Sequence, residues 1–178
     1  SIREQVKEKG KDEFFNTVKK AYGSDVTELS NTKIDSLDNL EQSIGISYDF
    51  KMNETNDNII YLNPMMGEGY KQNPFKSAER FYPVEMPYTI DETYIFNMIV
   101  PEGYQVDELP KSTIVKYNEE GDGQFEYRIS ESNGMISLRS RIFIKRTYFQ
   151  PDEYNILREF FNMIVKKQNE QIVLKKKV

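Results

Sequence analysis

The chain of 178 residues contains no cysteine, no histidine and no tryptophan. Without thiol or imidazole there is no thiolate nucleophile, no Cys-His or Ser-His couple, no Zn-thiolate cluster, no disulfide and no switch titrating near pH 6. Long apolar runs are missing too. No stretch approaches the ~18 residues needed to cross a bilayer as a helix, and no charged-then-apolar leader opens the sequence. A basic excess is also absent: 24 Lys and Arg stand against 29 Asp and Glu, for a formal net charge of -5. This balance argues against a general nucleic-acid binder, whose affinity rests on neutralising phosphates. Ser1 in place of an initiating Met reads as a processed or excised segment. Zero cysteine suits an oxidising compartment and is equally allowed in the cytosol.

What is present describes a globular chain, 38% hydrophobic and 30% charged, the size of one domain or one domain with a helical extension. The first 22 residues follow a helical period, with Phe14, Phe15, Val18 and Tyr22 on one stripe. Gly10 weakens the middle of that helix, and Gly23-Ser24-Asp25 reads as its stop. A second helix is expected over about 151–169. It opens on Pro151, Asp152 and Glu153, carries Tyr154, Leu157, Phe161, Ile164 and Gln168 on one face, and places Lys166 and Lys167 near its end, in line with the helix dipole.

Between the helices the period changes to two. Ile44, Ile46, Tyr48, Phe50 and Met52 alternate with small or polar residues, as do Phe125, Tyr127 and Ile129, and then Ile136, Leu138, Ile142 and Ile144. Asn133-Gly134 separates the last two runs and predicts a tight hairpin over 124–145. Further strands are expected at 25–36, 59–62, 94–100 and 113–117. The segment 95–100 is apolar on both faces, which predicts a central strand covered on both sides. Only two alanines occur, against many Ile, Tyr and Phe. The expectation is a mainly β chain: a two-layer antiparallel β-sandwich over 25–178, with an N-terminal helical lead-in at 1–24 and a C-terminal amphipathic helix. Residues 63–93, rich in proline, read as a long ordered connection crossing between sheets.

Chemistry is left to carboxylates, Tyr, Lys, Ser and Thr. Asp91-Glu92, Asp107-Glu108 and Asp152-Glu153 are paired acids of the kind a glycosidase needs, but they sit at turns or a helix start, where solvated and capping acids are common. The acidic loop Glu119 to Gly123 lacks the ligand spacing of a calcium loop. Gly67-Glu68-Gly69 lacks the GK[ST] of a phosphate loop, and Met65-Met66 reads as loop packing. No catalytic residue, cofactor or metal site is assigned. The candidate binding residues are Tyr70, Phe75, Arg80, Phe81, Tyr82 and Tyr88 in the long connection, where rings stack on a sugar or grip a peptide. The plainer reading is that these rings anchor the connection to the core.

The succession Tyr61-Leu62-Asn63-Pro64, Asn73-Pro74-Phe75, Arg80, Tyr82-Pro83-Val84-Glu85, Val100-Pro101-Glu102-Gly103-Tyr104 and Leu109-Pro110-Lys111 is distinctive. With Tyr154 and the closing Ile172-Val173-Leu174-Lys175-Lys176, it resembles the C-terminal β-rich region of multidomain transglutaminase-like proteins common in Bacteroidetes. The resemblance covers the chain from about Asp25, and Arg3 matches the preceding linker less closely. It implies a non-catalytic accessory domain of a secreted parent, periplasmic or in the cell envelope, whose papain-like core lies outside this segment. The partner so implied is that neighbouring core, with an exposed apolar patch on the opening helix or the aromatic connection as the trace of docking. A carbohydrate- or peptide-binding module is the alternative, and a carboxylate hydrolase a third.

Overall fold

A computed structural model describes residues 2–23, 25–53 and 55–177. Ser24, one residue of the expected helix stop, lies outside the described residues. The chain divides into two compact units, residues 1–56 and 57–178.

In the first unit the opening helical segment is two helices, α1 (Ile2–Lys9) and α2 (Lys11–Ala21), followed by a hairpin of β1 (Val26–Asp35) and β2 (Gly45–Met52). The stripe read from the sequence places Phe15 in the core, edge-on to Tyr48 at 6.1 Å, while Tyr22 stacks on Phe50. The β1–β2 loop has a polar clamp. Arg3 of α1 donates to the carbonyl oxygens of Ser36, Leu37, Asn39 and Gln42 at 2.6–3.2 Å. A guanidinium has five fixed donors, so one side chain can satisfy a whole irregular turn. The helices and the hairpin lie together in residues 1–56, joined by this clamp and by the Phe15–Tyr48 and Tyr22–Phe50 ring contacts.

The second unit begins at β3 (Ile59–Leu62), crosses the connection 63–83, and continues through β4 (Val84–Glu85), β5 (Ile90–Ile99), β6 (Tyr104–Glu108) and β7 (Thr113–Lys116). The hairpin β8 (Gly123–Ser132) and β9 (Met135–Ile144) follows, then β10 (Tyr148–Phe149), α3 (Tyr154–Gln168) and β11 (Ile172–Lys176). All pairings are antiparallel. β5-β9-β8-β7 form one sheet, β3-β11-β6 a second, and β4 pairs with β10. The result is the mainly β, antiparallel fold with N- and C-terminal helices expected from the sequence. The 124–145 hairpin turns at Asn133 and Gly134, both with positive φ (53° and 75°), so the pair supplies the left-handed residues that a two-residue turn requires.

The core lies between α3 and one face of the four-stranded sheet. Phe125, Tyr127, Ile136, Leu138, Ile142 and Ile144 all point to this inner face and are almost completely buried. Leu157, Phe160, Phe161 and Ile164 of α3 are equally buried, at the i, i+3, i+4, i+7 spacing of an apolar stripe. Tyr117 joins the layers, edge-on to Phe160 at 5.8 Å and to Phe149 at 5.6 Å.

One expectation about this sheet is corrected. The segment 95–100 does not form a central strand. β5 is the outermost strand beside β9, with Phe96 buried on the inner face but Ile95 64% and Ile99 80% exposed on the other. Apolar residues on both faces of a strand mark two apolar surfaces and do not by themselves say that the chain covers both.

The turn geometry yields a direct test. Replacing Gly134 by Val places a β-branched residue at φ 75°. Urea denaturation is expected to show a loss of about 1–2 kcal/mol, the usual cost of forcing an L-residue into the left-handed region.

Candidate functional site

The long connection is held down by a repeated device. Asn63 and Asn73 each precede a proline, and each accepts a hydrogen bond at its Oδ1 from a backbone N–H two residues on, from Met65 and Phe75 respectively, both at 2.8 Å. The two Nδ2 groups donate to α3: Asn63 to the Gln168 carbonyl at 3.0 Å, Asn73 to the Arg158 carbonyl at 2.8 Å and to Asn162 Oδ1 at 2.7 Å. An Asn side chain closes the turn while the proline fixes the following φ, so each Asn-Pro pair is both a bend and a clip. Between the clips, buried Gln168 accepts from the Tyr70 N–H at 2.8 Å and donates to Ser140 Oγ at 3.3 Å. Gly69 allows this approach, since a Cβ there would lie 3.1 Å from the Gln168 side chain. Farther on, Tyr154 donates its hydroxyl to the Ser77 carbonyl at 2.9 Å.

These clips sort the six candidate binding residues. Tyr70 and Phe75 pack edge-on against Phe161 at 5.5 and 5.1 Å, and Phe75 also meets Tyr154, so both rings anchor the connection. Burial raises the Tyr70 hydroxyl above its ordinary pKa, with Glu92 and Tyr88 adding to the effect from nearby. Arg80 is exposed and donates to the Tyr82 carbonyl. Phe81, Tyr82 and Tyr88 are exposed by 82%, 78% and 69%, and no ring contact joins any two of them among the described residues. The connection therefore supplies the anchors and two exposed rings, and the β4–β5 turn supplies a third, Tyr88.

The paired acids do not form a shared cleft. Asp91 and Glu92 are neighbours on the regular strand β5, so they point to opposite faces, while Asp107 and Glu108 lie at an irregularity where β6 meets β11, both exposed. Glu153 is committed to structure: it takes both forks of Arg146 at 2.8 Å and accepts from the Gln150 N–H at the start of α3. The Arg146 hydrogen bonds come first among the causes that hold its carboxyl below the ordinary glutamate range. Asp122 of the acidic loop also receives Arg146 and is held by Asn118. No cluster of three or more Asp or Glu suited to a metal occurs among the described residues.

The feature that the sequence pattern did not locate is the outer face of the four-stranded sheet. Arg139 and Arg141 of β9 lie in adjacent cross-strand rows with Arg128 and Glu126 of β8. Glu126 binds both Arg128 and Arg139, and Arg141 grips Asp91 of β5 with two bonds of 2.9 Å. These bonds hold both carboxyls below the ordinary range. Around the arginines stand the exposed Ile95, Ile99, Ile114 and Met135. At one end Arg141 and Lys145 cover the Phe143 ring, beside a groove of about 260 Å³ lined by Lys116, Gln124 and Glu126.

Residues 57–174 match a family described as a domain of unknown function with a solved structure, DUF3858. The chain belongs to the DUF3858 family. The matched range falls within the second unit and contains both Asn-Pro clips, α3 and the four-stranded sheet. No curated protein matches. Among solved structures, the DUF3858 chain is similar to a crystal structure of a "putative protease" from Parabacteroides distasonis ATCC 8503. That similarity has 17% identity and a TM-score of 0.47, and it covers 56% of this chain and 19% of that one.

Two outcomes follow for the DUF3858 unit. Gln168→Leu leaves the Tyr70 N–H and Ser140 Oγ without their partner, and is expected to cost about 1–3 kcal/mol in urea denaturation, with faster proteolysis inside residues 66–82. Glu153, whose folded pKa is lowered, contributes stability above the ordinary glutamate range and loses it as pH falls through the folded value. The stability gap between the natural chain and Glu153→Gln should thus be present at pH 7 and close in acid; a constant gap across that range would contradict the Arg146 pairing.

Proposed function

We propose that the chain is a non-catalytic interaction domain of a larger secreted transglutaminase-like protein, periplasmic or in the cell envelope, which docks on that protein's catalytic-like core and positions it. The observation that carries this reading is the combination of a complete core and large apolar side chains outside it. Ile95, Ile99 and Met135 stand near one another on one sheet face, uncovered, with Ile114 apart on its far strand, while α3 closes the other face. An uncovered apolar patch on an otherwise well-packed domain marks a surface that another protein covers. The missing thiol and imidazole support a division of labour in which the nucleophile belongs to the neighbouring domain.

The alternative, a glycan- or peptide-binding module, is favoured by one observation: Phe81 and Tyr82 at the end of the anchored connection, and Tyr88 between β4 and β5, are exposed. Their lack of mutual contact weighs against a flat sugar-stacking platform and leaves peptide contacts as the better form of it.

The test is association in trans. A purified upstream core should bind the 178-residue chain reversibly, and deleting residues 57–177 from the parent should lower the core's thermal stability or activity. No binding, together with unchanged folding and activity after deletion, would end the docking reading.

A further inference from the structure

Resting on the docking reading above, we propose that the outer face of the β5-β9-β8-β7 sheet is the docking surface, and that it receives an acidic protein surface carrying apolar side chains among its carboxylates.

The charge of this face is opposite to that of the chain. Lys116, Arg128, Arg139 and Arg141 stand against only Asp91 and Glu126, in a chain whose net charge is -5. The two acids do not use up the donors. Arg128 and Arg139 share the single carboxylate of Glu126, so two five-donor forks meet two oxygens and the remaining N–H groups are left to solvent or a partner. The side chain of Arg128 is 62% exposed. Because Glu126 and Asp91 bind the guanidinium groups through some of their nitrogens, the free donors are pre-oriented, which reduces the ordering cost of binding.

The rest of the face distinguishes among anionic partners. Ile95, Ile99 and Met135 line one end of the arginine rows, with Ile114 on the far strand. Arginine and methionine beside exposed aliphatics match the composition of protein interfaces, and a free anion would leave those aliphatics uncovered. A nucleic acid would be expected to use exposed rings for stacking, but the ring on this face, Phe143, lies beneath Arg141 and Lys145. A second copy placed face to face would oppose arginine to arginine. Strand spacing and length make the face roughly 500 Å², below the ~800 Å² per partner of a typical stable complex. A partner on the same parent chain fits that size, because tethering supplies an effective concentration that a small interface can use.

The test uses the full 178-residue chain and amide shift mapping by NMR. The probes are an octapeptide of alternating Glu and Leu, its Lys-Leu counterpart, and an eight-nucleotide oligothymidylate. The Glu-Leu peptide should shift amides centred on Ile95, Ile99, Arg128 and Arg139, and bind more weakly as salt rises. Arg128→Glu should weaken it about tenfold. Ile99→Ser, at a side chain outside the core, should weaken it about threefold with the melting temperature unchanged. The proposal fails if the Glu-Leu peptide shifts nothing at millimolar concentration or shifts residues elsewhere. It also fails if both variants bind the peptide as the natural chain does, if the Lys-Leu peptide or the oligothymidylate binds as well or better, or if the face mediates self-association. If the core still captures the Arg128→Glu and Ile99→Ser chains undiminished, the docking reading stands and this face is not its surface. If the core captures no form of the chain, the docking reading falls, and the peptide titration alone decides whether the face selects acidic partners.

Discussion

The seating of α3 on the inner face of the four-stranded sheet is the constraint on which the second unit depends. Leu157, Phe160, Phe161 and Ile164 occupy consecutive turns of one stripe and meet a sheet face built from Phe125, Tyr127, Leu138 and Ile142. Burial on this scale supplies the main driving force of the fold. It also fixes a platform, because the flank of the same buried stripe receives the connection. Phe161 takes Tyr70 and Phe75, the Asn162 side chain and Arg158 carbonyl take Asn73, and Gln168 takes Asn63 and Tyr70. A segment of about twenty residues with no strand of its own is held chiefly by one helix, with Tyr94 of β5 donating to the Pro64 carbonyl.

The same arrangement leaves the sheet asymmetric. Its inner face is apolar and closed, and its outer face is a row of arginines bordered by isoleucine and methionine. A solvated sheet face would ordinarily carry small polar or charged residues. Arginines tied to carboxylates within the face make a surface that is charged yet ordered. The exposed rings Phe81, Tyr82 and Tyr88 lie outside this pattern and contribute a second, separate kind of exposed apolar surface.

Much of the fold was legible in the residues. Period-two alternation marked β2, β8 and β9, Asn133-Gly134 marked the hairpin turn, and the stripe from Tyr154 to Gln168 marked α3. Gly10, seen as a weak point, ends one helix and begins another at φ 84°. Several motifs that carry the family resemblance have a physical role, since Asn63-Pro64, Asn73-Pro74-Phe75 and Tyr154 are the clips of the connection. Other features were not legible because they depend on pairing across sequence distance. Nothing in Arg3 signals four carbonyl acceptors some 35 residues away. The alternation of β8 and β9 reveals which residues share a face but not which face α3 covers, so the arginine rows read as an ordinary wet surface. The apolar residues of β5 were visible and misled, since a run apolar on both faces reads the same whether or not the chain covers its outer side.

The inner face is core, and the outer face is proposed to be a surface covered in the parent protein. Hydroxyl-radical footprinting, read by mass spectrometry on this chain alone and on the intact parent, distinguishes the two faces most directly. Ile95, Ile99 and Met135 should be oxidised readily in the isolated chain and protected in the parent, while Phe160 and Phe161 should be protected in both. Equal oxidation of Ile95, Ile99 and Met135 in the two samples would contradict the covered outer face.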